Sequence, residues 1–147
     1  MEIEVKARVR ERDALLQELT KRGCVLSEPK VQDDMVWVQT TGTLEQFLSN
    51  DTFLRIRIQN GSKVILTAKR SKTKTGDESL IKREHEVVVN SAEEARGILE
   101  LLGLQEAVRV VKTRRATAYQ QFEICIDDIQ GLGLFIEVEH IGEEVDA

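Results

Sequence analysis

The chain has 147 residues, 41% hydrophobic and 32% charged, with a formal net charge of −5; that is the size of one domain able to bury a core, so a single domain over residues 1–147 is expected. The acidic balance argues against a general nucleic-acid or anionic-membrane surface, where clustered excess Lys and Arg would be needed. No apolar stretch approaches ~20 residues and no charged leader precedes an apolar run, so neither a membrane helix nor export is expected, and the cytoplasm is the default compartment.

Residues 1–6 alternate with period 2, Glu2, Glu4 and Lys6 on one face of a strand and Ile3 and Val5 on the other. Side chains two apart on a strand lie ~7 Å apart, so Glu2 and Glu4 repel unless a cation joins them, and such a pair suits a hard divalent metal. Residues 11–22 read as a helix with Leu15, Leu16 and Leu19 on one stripe and Gly23 ending it. Pro29 marks an edge or strand end, and Asp33-Asp34 reads as a turn before a short strand over residues 35–38. Cys24 and Cys125 have neither metal nor redox spacing and read as buried free thiols.

Residues 39–52 take no assignment, and residues 53–58 repeat the opening alternation, with Arg55 and Arg57 opposite Leu54, Ile56 and Ile58. Asn60-Gly61 is a hairpin signal. The return strand over residues 63–69 sets Lys63, Ile65, Thr67 and Lys69 against Val64, Leu66 and Ala68, and residues 70–80 read as a charged loop. In residues 83–89, Glu84 and Glu86 oppose Arg83 and His85. Ser91 with Glu94 forms a capping box for a helix whose Ala95, Ile98, Leu99 and Leu102 share a face and which ends at Gly103. Residues 108–117 carry Lys112 and Arg114 on one face. Residues 119–127 set Tyr119, Gln121, Glu123, Cys125 and Asp127 against Phe122, Ile124 and Ile126, and residues 134–139 mirror the first strand with Glu137 and Glu139.

Within each strand the charges are sorted by sign, carboxylates at 2/4 and 137/139 and cations at 55/57, 63/69 and 112/114. A surface built only for solubility mixes signs more evenly. Two leucine-striped helices need an apolar sheet face to cover. If the Ile/Val/Leu faces lie under those helices and the sheet closes on itself, the charged faces line the interior. The fold class expected is therefore α+β, a closed antiparallel eight-stranded tunnel with a polar interior flanked by amphipathic helices. Interior cations without a counter-ion are costly. A compact polyanion such as triphosphate answers Arg through bidentate hydrogen bonds and Lys through point charge, and Mg²⁺ is commonly held by one or two carboxylates plus substrate phosphates.

Glu2-x-Glu4-x-Lys6, the Leu54-Arg55-Ile56-Arg57 strand, Lys69, Lys112-x-Arg114, Asp127 and Glu137-x-Glu139 together resemble the CYTH domain of the triphosphate tunnel metalloenzymes, a family that includes class IV adenylyl cyclases and thiamine triphosphatases. ExExK alone is a weak signal; the ordered series of charged strands is a strong one. The resemblance implies an eight-stranded tunnel that binds a small-molecule triphosphate with Mg²⁺ or Mn²⁺. By match, Glu2, Glu4, Asp127, Glu137 and Glu139 would hold metal, and Lys6, Arg55, Arg57, Lys69, Arg83, Lys112 and Arg114 would grip phosphates. Lys6, Glu137 and Glu139 would carry the catalysis. Alternation sets Arg83 and Glu86 on opposite faces, so at most one points inward without a bulge.

The expected activity is metal-dependent hydrolysis of inorganic, thiamine or nucleoside triphosphate. Two alternatives stand: cyclisation of ATP to cyclic AMP and pyrophosphate, with Trp37 or Tyr119 as candidates to stack on the base, and a non-catalytic polyphosphate or nucleotide binder. Neither nucleic acid nor membrane is an expected partner, and a homodimer is left open. His85 and His140 lack an acid or nucleophile at recognisable spacing.

Overall fold

The computed structural model describes residues 4–39, 52–73 and 80–140. Glu2 lies outside these residues, as do most of the unassigned stretch 39–52 and the middle of the expected 70–80 loop. In chain order the elements are β1 (Glu4–Arg8), α1 (Arg12–Lys21), β2 (Lys30–Gln39), β3 (Thr52–Gln59), β4 (Lys63–Thr73), β5 (Leu80–Val89), α2 (Ala92–Leu101), β6 (Leu104–Tyr119), β7 (Phe122–Ile129) and β8 (Gly133–His140). The eight strands form one antiparallel sheet in the order β1-β8-β7-β6-β2-β3-β4-β5. The expected α+β class and strand number hold, and among the described residues no hydrogen-bonded ladder joins β5 back to β1.

The chain divides into two compact units, Met1–Val31 with Lys112–Ala147, and Gln32–Val111. In the first, α1 lays Leu15, Leu16 and the buried Leu19 on Ile124 and Ile126 of β7, with Leu134, Ile136 and Val138 of β8 packed against them. In the second, Ala95 and Leu99 of α2 cover Trp37, Ile56 and Val64, joined by Met35, Leu54, Ile58 and Leu66. Each helix therefore takes the apolar face of its own strands, because burying a side chain such as leucine or isoleucine yields about 1.5–3 kcal/mol. The charged face is left on the other side of the strands in both units.

Four local readings are corrected. Asp33 and Asp34 lie inside β2 and not in a turn, since each finds an arginine on a neighbouring strand and cross-strand pairing outweighs turn propensity. Residues 70–73 and 80–82 extend β4 and β5, continuing the ladder through Arg70↔Arg83 to Thr73↔Leu80, because backbone hydrogen bonds hold a hairpin together without regard to side-chain charge. The strand after α2 begins at Leu104, directly after Gly103 with φ 83°. Tyr119 closes β6 and not β7. The turn runs through Gln120 at φ 54°, and pairing of Tyr119 with Phe122 places Tyr119 in the α1 cluster, away from Glu123, Cys125 and Asp127. A glutamine in the left-handed region is uncommon, so no turn signal marked the site.

Other signals translate directly. Asn60 and Gly61, at φ 51° and 73°, make the hairpin turn between β3 and β4, and Ser91 accepts the Glu94 amide at 3.1 Å to cap α2. Cys24 and Cys125 are free thiols, the second buried and the first half-buried. No helix among the described residues is long and apolar enough to cross a membrane.

Candidate functional site

Strand register assembles the first unit's charged face. Glu4 lies opposite Glu139 and Lys6 opposite Glu137 across β1 and β8. Cys125 lies opposite Glu137 across β7 and β8, and Arg114 opposite Asp127 across β6 and β7. Directly opposed residues on antiparallel strands project to the same side, so one face collects the carboxylates Glu4, Glu123, Asp127, Glu137 and Glu139 with the cations Lys6, Arg8, Lys112 and Arg114. Glu4, Glu137 and Glu139 each offer an oxygen, and these oxygens lie within 4.8 Å of one another. Burial is the main reason the Glu137 carboxyl sits above its ordinary range; contact with Glu4 adds to it, and Arg114 and Lys6 act the other way. Carboxylates crowded in this way favour a shared proton or a cation between them.

Asp127, 1% exposed, does not join that group of three. Arg114 donates to it from Nε and Nη2, both at 2.7 Å, and from Nη2 to Glu137 at 2.9 Å. Burial pulls the Arg114 guanidinium down, but the hydrogen bonds and charge of Asp127 outweigh it and hold the group above its usual range. Lys112, itself buried, has Nζ 4.0 Å from Asp127, and Lys6 Nζ lies 3.9 Å from Glu137. Cys125 is pushed up to about 11, chiefly by burial, so it is a neutral thiol.

The second unit repeats the device with other strands. Asp34 lies opposite Arg57 across β2 and β3 and accepts its Nε and Nη2 at 2.7 and 2.9 Å. Arg55 lies opposite Thr67, and Phe53 opposite Lys69, across β3 and β4. Glu84 and Glu86 complete the face from β5, opposite Lys69 and Thr67. Arg55 reaches Thr67 at 3.4 Å and Glu84 at 4.0 Å, while its Nε is buried with no partner among the described residues. Burial, followed by the charge of Arg57, lowers the Arg55 pKa. Asp34, Glu84 and Glu86 act the other way, so the face carries carboxylates beside its cations.

The structure brings Glu4, Lys6, Lys112, Arg114, Asp127, Glu137 and Glu139 together in one unit, and Arg55, Arg57 and Lys69 together in the other. It does not bring Arg83 to either face. Arg83 is exposed, lies opposite Arg70, and donates to His85 at 3.4 Å on the side away from Glu84 and Glu86. Trp37, 1% exposed, is in the α2 core, and Tyr119 packs in the α1 cluster, so neither candidate for base stacking is on a charged face. Asp34 was missed from the sequence. Its signal was the alternation Gln32, Asp34, Val36 continuing the period of β2, which the turn propensity of two adjacent aspartates obscured.

A family profile described as the CYTH domain matches residues 1–147. A Methanocaldococcus jannaschii protein named "Putative adenylate cyclase" is 31% identical over 139 residues, spanning 95% of this chain and 76% of that protein. Among solved structures, a Pyrococcus horikoshii protein aligns with TM-score 0.77 at 27% identity over 99% of this chain and 81% of its own. A Hippeastrum protein, named "Putative adenylyl cyclase" and described as having a dominant triphosphatase activity, aligns with TM-score 0.65 at 18% identity over 98% and 80% of the two chains. The last likeness is one of fold.

Proposed function

The chain belongs to the CYTH domain family, and from that premise we propose that it is a divalent-metal-dependent phosphohydrolase acting on a triphosphate. The observation that carries the reading is the meeting of three carboxylates within 4.8 Å with Lys6 and Arg114, each in contact with Glu137. An anion receptor has no need of the carboxylates, and a metal buffer has no need of the cations. The donor set fits the metal that the family resemblance implies, since closely spaced carboxylate oxygens suit a hard cation such as Mg²⁺ or Mn²⁺. Glu4, Glu137 and Glu139 would hold it, and a cation bound there would supply neutralisation of charge on the phosphate oxygens.

The chain's own residues do the rest. Asp127 and Glu137 fix the Arg114 guanidinium before substrate arrives, so Arg114 meets developing charge on a phosphoryl group with little reorganisation. Lys6 and Lys112 add point charge. A water oriented by the glutamates attacks the terminal phosphorus in line with the departing diphosphate oxygen, and the P–O bond to that oxygen breaks. In this reading Asp127 acts by holding Arg114. Arg55, Arg57 and Lys69 enter as phosphate-binding groups by the family resemblance, as does Glu2 as a metal ligand.

ATP cyclisation is the second reading, favoured by the name of the Methanocaldococcus jannaschii relative. With Trp37 and Tyr119 taken up by core packing, a base would need Phe53 or Phe135, which share the faces of Arg55 and Glu137 respectively. The test is an assay of inorganic triphosphate, thiamine triphosphate and ATP with Mg²⁺ or Mn²⁺, reading phosphate and cyclic AMP together. Metal-dependent phosphate release is expected. Cyclic AMP with pyrophosphate would give the cyclase reading its place, and saturable binding without turnover would reduce the protein to a receptor.

A further inference from the structure

The strands of the second unit carry a second feature on the side opposite Arg55 and Arg57. There α2 covers Ile56 and Val64 with Ala95 and Leu99 but leaves a cavity of about 500 Å³ beside its first turns. That volume is in the range of small-molecule sites. Met35, Trp37, Ile56 and Ile58 line it from β2 and β3, a continuous apolar floor. Trp37 is 1% exposed, and its indole Nε1 is buried with no hydrogen-bond partner among the described residues, whereas buried donors are ordinarily satisfied.

The polar lining has a definite electrostatic order. Asp33 is committed to Arg109, which donates to it from Nε and Nη2 at 2.9 and 2.6 Å. Arg96 is held only loosely, by a 3.5 Å contact to Glu106 in which both side chains are about half exposed, an interaction worth little in water. Arg96 is therefore the lining group most easily turned to a ligand, and a guanidinium selects a carboxylate by its two parallel hydrogen bonds. Glu93, on the same side of α2 one turn earlier, opposes an anion and sets a limit on how many charges the ligand carries.

We propose that this cavity binds a small monoanionic carboxylate, its aliphatic or aromatic body lying on Met35 and Ile58 beside the buried Trp37 and its carboxylate on Arg96. The site is separate from the charged faces and does not depend on the phosphohydrolase reading. Trp37 is the only tryptophan in the chain, so its fluorescence reports occupancy without a label. Titration with 3-phenylpropionate and with octanoate should give a saturable change for at least one of them. The matching alcohols should bind about tenfold more weakly, Arg96→Gln should lower carboxylate affinity about tenfold, and Glu93→Gln should raise it severalfold. Metal-dependent phosphate release should be the same in both variants. No saturable response to either acid, equal response to acid and alcohol, or unchanged affinity in Arg96→Gln would each overturn the proposal. Tighter binding of 2-phenylethylamine than of the acid would do so as well.

Discussion

Glu137 is the residue on which the first unit's charges converge, with Arg114 at 2.9 Å and Lys6 at 3.9 Å and the oxygens of Glu4 and Glu139 close by. Replacing it with alanine removes an oxygen donor and a tether of Arg114 together, while sparing the apolar cluster on the other face. Glu137→Ala should lower metal-stimulated phosphate release by on the order of 100-fold or more and leave the thermal midpoint of the metal-free protein within a few degrees, as followed by circular dichroism. Asp127 differs, because it is 1% exposed and its loss would remove the bidentate partner of Arg114 and a contact of Lys112 from a buried position. Asp127→Ala should cost about 3–5 kcal/mol in urea unfolding, whereas Asp33→Ala, which breaks a pair with side chains 33% and 60% exposed, should cost under about 1 kcal/mol. Cys125 gives a pH-dependent check. Its folded pKa is raised to about 11, mainly by burial, so folding favours the neutral thiol. Its contribution to stability is complete below the unfolded thiol pKa of about 8.5 and is lost as pH rises through the folded value. At pH 8, iodoacetamide should alkylate Cys125 on the order of 100-fold more slowly in the folded protein than in urea.

At the scale of elements, period-2 alternation made most of the sheet legible: Leu54, Ile56 and Ile58 do lie under a helix, and Arg55 and Arg57 do lie opposite them. The readings failed where local chemistry and long-range pairing disagree. Two adjacent aspartates favour a turn by themselves, yet Asp33 and Asp34 each gain a bidentate arginine from a residue 76 and 23 positions away, which no local window contains. Tyr119 was assigned to the wrong strand because the turn residue, Gln120, lacks a turn signature. That Glu4, Lys6, Arg114, Asp127, Glu137 and Glu139 share a face was legible, since the period-2 alternation of each strand carries through the register. What the sequence could not supply was the partnering, in which Asp127 grips Arg114 and stays out of the group of three glutamates, while Glu137 belongs to that group and also accepts from Arg114. Helix α2 is held chiefly by packing, with Leu99 at 2% exposure in contact with the Trp37 cluster. Leu99→Ala should therefore destabilise the protein by about 2–5 kcal/mol, measured by urea unfolding with Trp37 fluorescence as the probe.

At the scale of the molecule, the same inside-out construction occurs twice. In each compact unit a helix takes the apolar face and the ionic face is set on the other side of the strands. This reconciles a formal net charge of −5 with the proposed binding of a triphosphate. The chain is acidic as a whole, while Lys6, Lys112 and Arg114 in one unit, and Arg55, Arg57 and Lys69 in the other, are gathered locally by strand register. Surface charge sets solubility and nonspecific association, whereas under the proposed function the charged faces would set which small ion is held. The most direct test of this account is phosphate release from inorganic triphosphate, in Mg²⁺ and in chelator, by the unaltered protein and by Glu139→Ala. The account predicts release that requires the metal and is lost in a Glu139→Ala protein whose circular dichroism and thermal midpoint are unchanged; release that persists in chelator, or full activity in that variant, would contradict it.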